Sequence, residues 1–548
     1  MISQPKNGVV KMVFSSLKDK ARISSFRSII ESAFHRNNVY KVESVAEAYY
    51  LAENSPGTIV TDIPVYEPEF HGLPSGAKIL VFNDGAVYGR CAQARRIAFT
   101  PGIDEKEYTT IIREAVYQTR YNRMYHAEAV IGLHQDFMVK ANLLVPEGFE
   151  NIVLNWLLNF QPLNTKYKEM YESSTPIDDL EIFVYSNPDW HHPDFPLGLT
   201  FFDPEHNVAA LLGVRYFGEF KKGTLTLGWG TADRHGYVAC HGGIKRYDDV
   251  EKVFAFFGLS GSGKSTLTHA KHGGKYKTTI THDDAFIINT SDLTSIALEP
   301  SYFDKTADYS IGHPDNKFIL TAQNVGISRD DQGKMYLVTE DIRNGNGRAI
   351  KSRLWSPNRI DKMDSPISAV FWLMKDPAIP PIVKIDNPIL ASTMGTTLAT
   401  KRTSAERVVG VSLDKLVVEP YANPFRTYPL ANDYEKFKEL FEKGIHCYIL
   451  NTGNFMGKEI PKEVTLGILE KLLEQEAEFD KFPRIDDFSY MPVNGFSPSE
   501  DDDEYFKFLK NRIADRIEFI QTRAEETKGF DKLPQETVDV LKNVIDEI

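Results

Sequence analysis

Cysteine is scarce in this chain. Cys91, Cys240 and Cys447 are the three among 548 residues, far apart and without a CxxC pair. That excludes a disulfide framework and fits a reducing cytoplasm. Long apolar runs are missing too. No stretch reaches the ~18 uninterrupted apolar residues of a membrane helix. The opening MISQPKNGVVKMVF has no apolar core of signal-peptide length. Nor is there a basic block. With a net charge of −13, the chain lacks the clustered positive face of a nucleic-acid binder. Acidic small substrates stay compatible, because local positive sites can sit on an acidic protein. There is no internal repeat and no long low-complexity segment.

What is present supports a large core: 42% of residues are hydrophobic and 12% aromatic. The length suits two or three domains. Apolar spacing of three and four predicts helices within 20–55 and 104–125. GTIVTDIPVY (57–66) and KILVFNDGAVYGR (78–90) read as strands with a turn at Asn83-Asp84-Gly85. Between 150 and 235 short strands are expected to alternate with turns: EIFVYS, LTFFD, VAALLGVRYFG and GTLTLGWG. Residues 250–290 read strand, loop, helix, strand. Further strands are expected at 317–322, 335–339, 366–373 and 446–453, and the acidic tail is expected to be helical. The class is α/β with mixed α+β sheets. The expected division is an N-terminal α/β domain, 1–240, and a C-terminal nucleotide-carrying domain, 241–548.

The sharpest motif is AFFGLSGSGKSTLT (255–268). Gly258, Leu259, Ser260, Gly261, Ser262, Gly263, Lys264 and Ser265 match G-x-x-x-x-G-K-[ST], a phosphate-binding loop. Glycines let backbone N–H groups approach phosphate oxygens without a Cβ in the way. Lys264 would reach the β- and γ-phosphates, and the Ser265 hydroxyl would sit on Mg²⁺. Thr266 continues the nucleotide-binding run. The next strand ends in Thr281-His282-Asp283-Asp284. Two adjacent carboxylates there, ~20 residues after the loop, suit Mg²⁺ or Mn²⁺ near the γ-phosphate.

Upstream lie Tyr216-Phe217-Gly218-Glu219-Phe220-Lys221-Lys222-Gly223 and Ala239-Cys240-His241-Gly242-Gly243. The order YxGExKKG, a histidine about twenty residues later, FFGLSGSGKS and a DD strand resembles ATP-dependent phosphoenolpyruvate carboxykinase. Gly89-Arg90, the Glu299…Lys305-Thr306 segment and Ser352-Arg353 extend the resemblance over roughly 80–465. It implies a two-domain architecture, with the phosphate loop in the C-terminal domain and the active-site cleft between domains. It also implies the reaction oxaloacetate + ATP ⇌ phosphoenolpyruvate + CO₂ + ADP. By the same resemblance, Lys222, His241 and Asp284 would hold Mn²⁺, and Ser265 the Mg²⁺ that travels with ATP. Arg90, Tyr216, Lys222 and Arg353 would meet oxaloacetate or phosphoenolpyruvate. Arg343, Arg348 and Arg359 compete with Arg353 for that role. Ser260, Lys264 and Lys305 would lie near the transferring phosphoryl group, with Asp283 beside them. Glu299 and Thr465 would belong to the nucleotide site. A water-excluding lid is expected near 391–408.

The chain departs from the family's pattern in places. Ala285-Phe286-Ile287 follows the second aspartate where an acidic residue and His-Gly-Trp are usual. Gly242-Gly243-Ile244-Lys245 replaces C-S-A-N-V-G. Gly89-Arg90-Cys91-Ala92 replaces Gly-Arg-Ser-Pro. Glu459 stands where an arginine would stack on adenine. The phosphate loop lacks the cysteine of the GTP-dependent class, which favours ATP. Two rivals stay open: a P-loop protein kinase of the HPr kinase/phosphorylase type, and a nucleotide-binding regulator without turnover.

Overall fold

The computed structural model describes residues 24–86, 89, 91–259, 261–341, 345–401 and 416–548. Two large sheets organise it. The first has eight strands, all drawn from residues 39–212. Its centre is the long antiparallel pair Met124–His134 and Phe137–Pro146, to which Ile182–Asn187 adds in parallel. The second has eleven strands, drawn from residues 237–490. There Tyr237–Tyr247 runs antiparallel to Lys252–Phe257, which runs parallel to Ala369–Met374, itself parallel to His446–Asn451. A third, five-stranded sheet crosses between the halves. It pairs Lys78–Phe82 in parallel with Ile319–Gln323.

The apolar strand runs were legible, but part of the stretch 150–235 was not. Glu150–Asn159, Thr165–Ser173 and Phe217–Arg234 are helices. GTLTLGWG, expected as a strand, lies inside the last of these. The reason is burial. Glu150–Asn159 is buried at every position and Phe217–Arg234 at almost every one, so neither shows an amphipathic period. Phe217–Arg234 packs against strands of both large sheets. Its glycines permit the close approach: a Cβ on Gly228 would stand 2.8 Å from Ile131 Cγ2. Helix propensity penalises each glycine by about 1 kcal/mol, and two-sided packing overrides it. The region 20–55 holds two helices, Ser25–Phe34 and Val45–Glu53, with the short strand Val39–Lys41 between them.

Cys91, Cys240 and Cys447 are all buried and unpaired. Among the described residues no helix is long and apolar enough to cross a membrane.

The acidic tail ends in helices Asp503–Glu526 and Glu536–Glu547. Arg516 carries the longer one into the core. Its Nη2 lies 2.9 Å from Asp376 Oδ2, and its Nη1 donates to Thr397 Oγ1 at 3.1 Å. Both members of the pair are buried. Removing Asp376 would strand a buried guanidinium, so Asp376→Ala should lower unfolding free energy by roughly 3 kcal/mol. Chemical denaturation of the variant beside Asp486→Ala, an exposed control, checks this.

Asp433 offers a pH test. It accepts from the Tyr428 hydroxyl at 3.0 Å, and burial pushes its carboxyl up to about 7. A carboxyl raised on folding stabilises at low pH and loses that contribution as pH rises through 7. Asp433→Asn should therefore gain on the wild type between pH 5 and pH 8, by at least about 1 kcal/mol. Denaturation at both pH values reads the difference.

Candidate active site

Strand Tyr237–Tyr247 does most of the positioning. Its first half pairs with Ala285–Asn289 and its second half with Thr278–His282. Asp283 and Asp284 sit at the break between those two strands. His241 faces Ala285 in register, and Gly242 N donates to Asp284 O at 3.2 Å. The sheet alone thus brings His241 beside Asp284. Helix Phe217–Arg234 adds Lys221 and Lys222 from its second turn.

Four groups converge on the Asp284 carboxylate. Lys221 Nζ and Lys222 Nζ donate to Oδ2 at 2.8 and 2.7 Å. His241 Nε2 lies 3.0 Å and Lys264 Nζ 3.6 Å from Oδ1. Burial opposes the charge on Asp284, but Lys221 and Lys222 outweigh it and hold the carboxyl well below its usual range. Lys221 also meets Glu299 Oε1 at 3.0 Å; burial opposes its charge, yet Asp284 and Glu299 hold it protonated. Glu299 is fixed from behind by Asn159 Nδ2 at 2.7 Å. Lys222 behaves differently. Burial, reinforced by Lys221 and Lys264, pushes its ammonium down to about 8 despite Asp284.

His241 is held as a neutral ring. Burial, then Lys264 and Lys222, push it down to about 3. Its Nδ1 lies 2.5 Å from the Ala422 carbonyl, which accepts the Nδ1 proton and leaves the Nε2 lone pair facing Asp284 and Lys264. Lys222 and His241 therefore offer an amine of lowered basicity and an imidazole lone pair, each within about 3 Å of the Asp284 carboxylate. That donor set fits a divalent transition metal. Among the described residues no group of three His, Cys, Asp or Glu could hold a metal, so the set depends on the lysine nitrogen.

The glycine loop borders the same cavity. Gly261 and Gly263 take left-handed φ values of +81° and +92°. A Cβ on Gly258 would meet Ser262 Oγ at 2.2 Å, so glycine is obligatory there. Helix Lys264–His269 follows. The cavity, about 380 Å³, is lined by Leu259, Gly261, Gly263, Lys264, Ser265 and Thr266. Tyr216, Lys221, Lys222, His241, Asp283, Asp284, Lys305 and Arg348 also line it. Asp283 lies 3.3 Å from His269 Nε2, and His269, His282 and Lys264 outweigh burial to keep it ionised.

Some expected residues stand elsewhere. Arg353 lines a different cavity with Tyr167 and His71, its Nη2 held by Asp361 at 2.8 Å. Arg359 is buried and binds the carbonyls of Glu299 and Pro300. Among the described residues Arg348 is the arginine that lines the site cavity, its guanidinium carbon 5.8 Å from the Tyr216 ring centroid. Glu299 supports Lys221 from behind and does not line the cavity, nor does Thr465, which is buried in helix Lys462–Glu474. Arg90, Ser260 and Arg343 lie outside the described residues. Of the expected lid, helix Pro388–Thr396 and strand Ala399–Lys401 bury Ser392, Thr393, Thr396 and Thr400; residues 402–408 lie outside the described ones. Sequence reasoning missed Lys221 as a site residue, although it adjoins Lys222, and also Phe425, whose ring stands 4.6 Å from Lys222 Nζ.

Comparison with known proteins gives this geometry a context. A family model described as phosphoenolpyruvate carboxykinase matches residues 93–494. A phosphoenolpyruvate carboxykinase (ATP) from Aeropyrum pernix is 25% identical over 343 residues, covering 58% of this chain and 67% of that protein. One from Neurospora crassa is 22% identical over 254 residues, covering 44% and 40%. With more than half its length matched, the chain belongs to the phosphoenolpyruvate carboxykinase family.

Proposed function

We infer that this chain is an ATP-dependent phosphoenolpyruvate carboxykinase, interconverting oxaloacetate and ATP with phosphoenolpyruvate, CO₂ and ADP. The observation that carries the reading is Asp284, held by Lys222 and His241 beside Lys264 of the glycine loop. Neither a protein kinase nor a silent regulator needs that lysine–histidine–carboxylate set.

Loss of CO₂ from oxaloacetate leaves an enolate. Its oxygen forms the new bond to the γ-phosphorus as the bond to the β,γ-bridging oxygen breaks. We assign Lys222, His241 and Asp284 to Mn²⁺ and Ser265 to the Mg²⁺ of the nucleotide. A divalent cation bound there supplies Lewis acidity where enolate charge develops. Lys264 neutralises the β- and γ-phosphates, with Ser260 and Lys305 at the phosphoryl group. Lys221 stays protonated and balances Asp284. Tyr216, Arg90 and Arg348 grip the substrate carboxylates, since a guanidinium fork matches a carboxylate. Arg348 takes the place expected for Arg353, which is committed to Asp361. We also propose that the chain divides into a substrate domain and a nucleotide domain before Tyr237 rather than at 240, because strand Tyr237–Tyr247 belongs whole to the second large sheet. Cytoplasmic placement accords with three buried, unpaired cysteines.

A coupled assay of oxaloacetate formation tests the function. Phosphoenolpyruvate, bicarbonate, Mn²⁺ and ADP should give turnover, and GDP in place of ADP should give much less. Lys222→Ala should lose at least about 100-fold in kcat and weaken Mn²⁺ binding measured by electron paramagnetic resonance. A wild-type chain that binds nucleotide but turns over neither ADP nor GDP would sink the enzyme reading.

The arginine assignment has its own test. Arg348→Ala should raise the KM for phosphoenolpyruvate or lower kcat by about 100-fold in kcat/KM, whereas Arg353→Ala should stay within about threefold. The reverse pattern would return the role to Arg353.

A further inference from the structure

Lys245 is a fully buried lysine that the mechanism above does not use. It lies four residues beyond His241 on strand Tyr237–Tyr247. Its Nζ donates to Leu267 O at 2.7 Å and to Ala270 O at 3.2 Å, the last carbonyls of helix Lys264–His269. A lysine in that position caps the helix and opposes the negative end of its dipole.

The contact is one of three along the same strand face. His241 Nε2 lies 3.4 Å from Lys264 Nζ at the start of the helix. Gly243 lies against its last turn, so closely that a Cβ would fall 1.9 Å from Thr268 Oγ1. Lys245 holds a carbonyl of that turn and the one just beyond it. A six-residue helix held at its first side chain and along its last turn has little freedom to slide or tilt. The residue at its start is Lys264.

We propose that Lys245 is a positioning residue for nucleotide: by clamping the end of helix Lys264–His269 against strand Tyr237–Tyr247, it sets where Lys264 and Ser265 stand. The inference rests on the glycine loop being the ADP site. Its energetic logic is that a buried lysine with no carboxylate against it is costly, and here one buried carbonyl, one part-buried carbonyl and a helix end are the compensation. Burial alone pushes Lys245 down to about 7. The groups facing it are Tyr247, whose ring centroid is 4.5 Å away, and Phe256. Behind Tyr247 stand His272, bonded to the Tyr247 hydroxyl at 3.0 Å, and Glu470, bonded to His272 at 3.0 Å.

The test is direct ADP binding by calorimetry, with KM values for ADP and phosphoenolpyruvate measured on the same full-length proteins. Lys245→Met should weaken ADP about tenfold and raise its KM in step, with the KM for phosphoenolpyruvate within about twofold. Lys245→Arg keeps the charge and should recover most of the affinity. It should also remove the part of the wild-type decline in ADP affinity between pH 6 and pH 8 that follows loss of the Lys245 proton, while His272 titrates alike in both proteins. A lysine that only stabilises the fold would lower the melting temperature and leave ADP binding by the folded protein unchanged. That result overturns the proposal.

Should Lys245→Met fail to fold, Gly243→Ala pushes the same helix off the same strand. It should weaken ADP similarly, and Gly243→Ala with Thr268→Ala should restore much of the loss. Equal ADP affinity in Gly243→Ala and wild type overturns the proposal. A wild-type chain that binds no ADP overturns the nucleotide reading and this inference together, whereas wild-type binding unchanged by Lys245→Met overturns the inference alone.

Discussion

One carboxylate organises the site. Asp284 receives two lysines and a histidine within about 3 Å, and Lys264 stands just beyond. A single negative charge cannot neutralise three nearby ammonium groups. The imbalance is met in two ways. Lys221 shares its charge with Glu299 as well as Asp284, and Lys222 yields, its proton loosened by burial and by its cationic neighbours. Burying cations costs free energy unless they are paired. Around Asp284 itself the ammonium groups outnumber the carboxylate, and that local positive charge suits an anion.

The rest of the site is backbone placed in service of that carboxylate. Strand Tyr237–Tyr247 pairs with Lys252–Phe257 and also with Thr278–His282 and Ala285–Asn289, and the break between the last two is where Asp283 and Asp284 sit. On the far side of His241 the chain passes through Tyr421 and Ala422, both non-glycine residues with left-handed φ, +51° and +54°. Such conformations cost of order 1–3 kcal/mol each and persist where surrounding packing dictates them. Tyr421 is locked by stacking on Phe437, with ring centroids 4.5 Å apart, and by hydroxyl contact with Ser392. The outcome is a carbonyl delivered to His241 Nδ1, which fixes the tautomer and leaves Nε2 free to act.

Local pattern carried much of this into the sequence. The glycine loop was legible because its motif fixes four residue types within eight consecutive positions, and the Lys222, His241 and Asp284 cluster because its order and spacing accompany that loop. Three kinds of information were not local. The helix Phe217–Arg234 is buried between two sheets, so it lacks a polar face, and its TLTLGWG stretch has the composition of a strand. Lys221 went unassigned because nothing in its neighbours announces the helix that turns both lysines onto Asp284. The choice among Arg343, Arg348, Arg353 and Arg359 depends on Asp361, which fastens Arg353 in another cavity. An ion pair formed between residues eight apart can be drawn from sequence in several ways, and only the fold selects one.

The departures from the family's pattern also acquire a physical meaning once their positions are known. Gly242 and Gly243 face Phe257 and Phe256 across one strand pair, while Cys240 and His241 face Phe286 and Ala285 across the other. The departures at 242–245 and 285–287 thus occupy one contiguous patch of the sheet, while those at Cys91-Ala92 and Glu459 lie elsewhere. A Cβ on Gly242 would stand 2.7 Å from Phe256 O, and one on Gly243 would collide with Thr268. Ala285 and Phe286 are fully buried, and the Phe286 ring lies 6.0 Å from Phe257. These contacts pack the strands tightly around the site. Unpaired buried charge is the costliest thing such a site could hold, and here Lys222, His241 and Lys264 all face the one carboxylate of Asp284.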